Sequence, residues 1–73
     1  MTIITHPARY TLFVYWPSGA LAWQEEVVGE VAMTETVNGI VDEGYAVDVV
    51  PRYLHAASGR YMTVPGTEWR AEP

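Results

Sequence analysis

The chain lacks cysteine and lysine altogether. The first absence excludes disulfides and any zinc-finger spacing. The second leaves all side-chain cations except histidine to four arginines, Arg9, Arg52, Arg60 and Arg70. Arginine used to the exclusion of lysine, alongside abundant Ala, Val, Gly and Pro, points to a coding sequence rich in G+C, and so to bacteria or their phages. No basic residue at all lies between Tyr10 and Pro51. Long apolar runs are missing too. The longest, residues 12–16, is far too short to span a bilayer. Residues 1–10 hold no basic cluster followed by an apolar core, so no secretory signal is expected and the cytoplasm is the default compartment. The glycines occur singly, which leaves no loop to cradle phosphate.

What the basic-free stretch does contain is acid. Glu25, Glu26, Glu30, Glu35, Asp42, Glu43 and Asp48 all fall within it. A run of carboxylates without local counterions projects a field of one sign, which repels phosphates and attracts basic protein surfaces. The net charge of −5 would suffice merely to keep a small protein in solution. Solubility, however, requires only mixed charge, and the segregation goes beyond it.

A length of 73 residues allows one small domain, covering 1–73. A chain of this size buries only about 60% of the surface that its unfolded form exposes. Five Tyr and three Trp supply large side chains to bury, so the chain reads as folded rather than as an acidic disordered tail. Without disulfides, a domain this small relies on close packing or on self-association.

Residues 1–8 read as a lead-in, broken by His6-Pro7. Residues 9–16 are dense in aromatic and branched side chains and read as a strand. Pro17-Ser18-Gly19 makes a turn, and residues 20–28 return as the second strand, with a bulge or fray expected at Glu25-Glu26. The stretch 33–44 supports two structures. Met33, Val37, Ile40, Val41 and Gly44 follow helical spacing, with Thr34 as cap and Gly44 as stop. Asn38-Gly39 is instead a strong hairpin signal. The glycine-to-strand junction at Gly44-Tyr45 favours the helix, although Asp42 and Glu43 would oppose its dipole. Residues 45–50 read as a third strand that Pro51 interrupts or ends. Residues 60–64 form a fourth, after a turn at Ala57-Ser58-Gly59. Residues 65–73 read as a mobile tail unless Trp69 docks. The expected class is therefore α+β: a small antiparallel sheet, β-β-α-β-β along the chain, with one short helix packed on one face. The alternative is all-β with a hairpin at Asn38-Gly39.

Chemistry-bearing sets are weak. Glu25, Glu26 and Glu30 could gather around a divalent cation, but the pattern of a calcium loop is missing. Ser58, His55 and Asp48 are residue types of a hydrolytic triad without a nucleophile elbow. No catalytic residue, metal or cofactor is expected. Strand one is apolar on both faces, and one helix covers only one of them, which leaves Phe13 and Tyr15 on an open face unless the closing residues Met62, Val64 and Trp69 cover it. Stacking of bases there would need cations that the first three strands do not supply beyond Arg9, so direct nucleic-acid binding is not expected.

These features converge on a non-enzymatic protein-interaction module. Its concrete form is a small inhibitor that docks on the basic surface of a nucleic-acid-handling enzyme or complex. The seven acids would meet Lys and Arg, and Tyr15, Trp23 and Tyr45 would supply anchors. In size, acidity and lack of cysteine the chain resembles the short phage proteins directed against host defence, the anti-CRISPR proteins among them. That resemblance rests on size and charge and implies no particular residues. The alternative is a structural or assembly module, a homodimer through the aromatic sheet face, with the charge serving solubility.

Overall fold

Strand β1 (Arg9–Tyr15) lies antiparallel between β2 (Leu21–Val28) and β3 (Ala46–His55). The computed structural model describes residues 7–73. Helix α1 (Glu30–Asp42) connects β2 to β3, and two short strands follow, β4 (Arg60–Met62) and β5 (Trp69–Ala71). The sheet order is β2-β1-β3-β4, with β5 also pairing β3. The α+β class expected from the sequence is thus the one formed, with a fifth strand added in the closing segment that reads from sequence as a loose tail. The lead-in expected over residues 1–8 falls largely outside the described residues.

Period-two alternation decides what β1 buries. Tyr10, Leu12 and Val14 point to one face, where Val49 and Val47 of β3 stand opposite Leu12 and Val14. Met33, Val37 and Ile40 of α1 close over them to complete the core. Leu12, Val14, Val47 and Val49 expose no surface.

The helix wins over the hairpin at Asn38-Gly39 because its apolar residues recur on one stripe, while Asn38 and Gly39 fall on the exposed side. It begins earlier than Thr34 predicts. Gly29 is the N-cap, at φ 90°, a backbone angle that only glycine adopts without strain. That angle lets β2 turn directly into the helix, and Glu30 then occupies the favourable first turn. Gly44 stops it as expected. The Gly44 N–H donates to the Val41 carbonyl at 2.9 Å, and the Tyr45 N–H donates to the Ile40 carbonyl at 3.3 Å. This is the Schellman pattern, with Tyr45 and Ile40 both packed at the core.

Gly39 has ordinary helical geometry and open space where a Cβ would be. Gly39→Ala should therefore stabilise the protein by about 0.4–1 kcal/mol. Thermal unfolding would show this as a rise of a few degrees, roughly 4–8 °C per kcal/mol at this size. A fall would mean that the helix is interrupted there in solution.

Two local expectations are corrected. The irregularity in β2 lies not at Glu25-Glu26 but where Val14 pairs with Trp23 and Tyr15 with Leu21, which leaves Ala22 extra. And β3 does not stop at Pro51. It continues to His55, with β5 pairing Val47–Val49 and β4 pairing Tyr53–His55. Pro51 falls in the gap between those two ladders, where its missing N–H removes a bond from neither.

Candidate functional site

The pleat of the sheet and the turn of the helix sort the seven acids into three groups. On β2, Glu25 and Glu26 point to opposite faces. Glu25 lies on the helix side and accepts a 2.8 Å hydrogen bond from Trp23 Nε1. Glu26 lies on the other side, 3.6 Å from an Arg9 guanidinium nitrogen. The carboxylates of Glu25, Glu26 and Glu30 therefore do not converge. No group of three or more His, Asp or Glu among the described residues is placed to hold a metal ion.

Asp48 belongs to the same face as Glu26 and is neutralised more completely. Arg70 on β5 donates to it twice, Nε to Oδ1 at 2.6 Å and NH2 to Oδ2 at 3.1 Å. The same guanidinium lies 5.1 Å above the centre of the Tyr15 ring. Arg70, which carries no obvious signal in the sequence, thus pins the closing strand to β3 and removes both Asp48 and Tyr15 from a free acidic surface.

Four carboxylates remain, Glu30, Glu35, Asp42 and Glu43, all exposed on α1 or its C-terminal cap. None of them forms an ion pair among the described residues. Glu30 suits the positive end of the helix. Asp42 and Glu43 stand at the negative end with no basic residue in the last turn, an arrangement that costs about 0.3–1 kcal/mol per charge at exposed sites. Arg9, Arg52 and Arg70 all belong to the opposite sheet face, given their register with Thr11, Val50 and Asp48. The molecule is therefore negative on its helix side, while the opposite side carries three of its four arginines.

Beside the helix C-terminus lies an aromatic cluster. The Tyr45 ring centre is 5.1 Å from Trp16 and 5.1 Å from Trp23, the latter pair edge-on. Trp23 and Tyr45 are half-buried against the core, whereas Trp16 is 47% exposed. Two of the three expected anchors, Trp23 and Tyr45, are thus brought together, two to three residues along the chain from Asp42 and Glu43 in the case of Tyr45. Tyr15 is not with them. Trp16, not among the anchors expected from the sequence, joins the cluster. Its signal in the sequence is its place at the strand end, just before the Pro17 turn.

The chain matches no known family model, no curated protein and no solved structure.

The triad types do not assemble. His55 Nδ1 and Ser58 Oγ are 3.0 Å apart within one exposed turn. Ser58 Oγ also accepts from the Arg60 N–H at 3.3 Å, as turn-forming serines do. Asp48, the third member, is held by Arg70 instead. On the helix side, burial together with the nearby Glu30 and Tyr53 keeps the Tyr10 phenol protonated to higher pH than an ordinary tyrosine. No helix among the described residues is long and apolar enough to cross a membrane.

Proposed function

We propose that this protein is a non-enzymatic interaction module that docks the helix side of its fold on a basic protein surface. The most concrete form is a small inhibitor occupying the cationic surface of a nucleic-acid-handling enzyme or complex, in the manner of the phage anti-defence proteins it resembles in size and charge. One observation carries this reading: Glu30, Glu35, Asp42 and Glu43 line one helix without a counterion among the described residues, beside an exposed Trp16. Glu35 and Asp42, seven residues and about 10 Å apart along the axis, share the helix face away from the core, with Glu30 and Glu43 on its two flanks, so a cationic surface that cups the helix would meet all four. Lys and Arg on such a surface would steer the encounter and relieve the unfavourable acids at the helix end, while Trp16, with Tyr45 and Trp23 behind it, would provide the desolvated anchor.

A second reading rests on the other side of the sheet. Phe13, Tyr15 and Val50 line a shallow cleft there that no helix covers, walled on one side by Glu68, Trp69 and Arg70 of the closing segment. A second copy meeting this face would give a homodimer and leave the charge to solubility. Light scattering separates the two, because a strict monomer at high concentration removes the assembly module.

The docking reading is tested by capture. The immobilised protein should retain a basic partner from a bacterial lysate at low salt and release it as ionic strength rises, since screening shortens the reach of exposed charges to about 10 Å at 0.1 M. Retention that is indifferent to salt, or partners without a basic surface, would count against it.

A further inference from the structure

Arg9 and Arg52 are direct cross-strand neighbours at the end of the β1–β3 ladder, on the sheet face opposite α1. Like charges in that position repel, and the chain does little to relieve them. The contact between Arg9 and Glu26, at 3.6 Å, is longer than a hydrogen bond. Arg52 has no ion pair among the described residues. The Nε atoms of both arginines are buried and have no hydrogen-bond partner among the described residues, an unusual state for a charged donor. Residues 1–6 contain no acid that could answer them. Arg70, on the same face, provides the contrast, because its fork is fully engaged by Asp48. The Arg9 guanidinium lies 4.7 Å above the Tyr61 ring centre, so the pair has an aromatic wall as well.

We propose that Arg9 and Arg52 form a binding site for one carboxylate from outside the chain, seated beside Tyr61. Guanidinium forks match the planar geometry of a carboxylate and donate N–H bonds to both of its oxygens. Charge selects the ligand: two cations against Glu26 leave one positive charge, which a carboxylate balances. A phosphate dianion exceeds it and meets Glu26. This site lies on the opposite face from the acidic helix and does not depend on the docking reading above.

The Nε–H signals of Arg9 and Arg52 in nitrogen-15 NMR report on the site directly, with Arg70 as internal control. Adding acetate should shift the Arg9 and Arg52 signals saturably and leave Arg70 in place, while chloride at matched ionic strength does neither. Arg52→Gln should weaken acetate binding by about tenfold or more, the loss of one charge-assisted bond. Glu26→Gln, which leaves the arginines intact, should strengthen it and keeps the test decisive if Arg52→Gln loses its fold. A short Asp/Glu peptide binding at least tenfold more tightly than acetate places the carboxylate on a partner protein; equal affinities place it on a free small acid. Shifts that do not saturate, shifts that chloride reproduces, or inorganic phosphate binding more tightly than acetate would overturn the proposal.

Discussion

Leu12→Ala is expected to remove about 2–5 kcal/mol of folding stability, the range for a truncated, fully buried leucine. Leu12 exposes no surface and stands between Glu25 on β2 and Val49 on β3, beneath Met33, Val37 and Ile40 of the helix. A domain of this length has roughly 0.05–0.15 kcal/mol per residue to lose, so this one change would consume a large part of the total. The central strand cannot collapse into the void, because hydrogen bonds to β2 and β3 hold it on both sides. Urea unfolding should show a much lower midpoint with an unchanged slope. Val28→Ala, at a position 65% exposed, serves as the comparison and should move stability by no more than about 0.5 kcal/mol. If Leu12→Ala cost under about 1 kcal/mol, the helix would not be seated on this face in solution.

The sheet and helix were legible because their signals are local. Alternation of Tyr10, Leu12 and Val14 specified a buried face without knowledge of the partner strand. Met33, Val37 and Ile40 specified the helical stripe, and Gly44 its end. The failures lie where a distant group decided the outcome. Pro51 looks like a strand terminator until two separate ladders are seen to meet around it. Trp69–Ala71 looks like a tail, and only its pairing with Val47–Val49, fastened by Arg70 to Asp48 twenty-two residues away in sequence, makes it a strand. The acids suffered the same fate. Their abundance between Tyr10 and Pro51 was plain, but the pleat alone sends Glu25 and Glu26 apart, and Arg70 takes Asp48 out of the set. The Arg9–Arg52 pair was illegible for a related reason: forty-three positions separate two residues that the register sets side by side.

Replacing Asp42 and Glu43 together by lysine should move stability and partner binding in opposite directions. Both residues sit at the negative end of α1, where no basic side chain is present. Lysines there complement the helix dipole, worth about 0.3–1 kcal/mol each at exposed positions. Neither carboxylate has an ion pair among the described residues that the change would break. Thermal unfolding should therefore occur at a higher temperature than in the unmodified protein. Association with a basic partner should suffer, because two attractive charges become repulsive at the edge of the aromatic cluster. The loss should be mainly in the association rate, about 100-fold at low salt, and should shrink as salt screens the encounter. A protein optimised for stability alone would not keep acids at this end of its helix, so the pairing of a more stable fold with slower docking is the signature of a functional surface. Stopped-flow or surface-based kinetics on the captured partner, beside a melting curve, supply both numbers. An unchanged association rate would remove the helix end from the interface, and a lowered melting temperature would show that these carboxylates serve the fold instead.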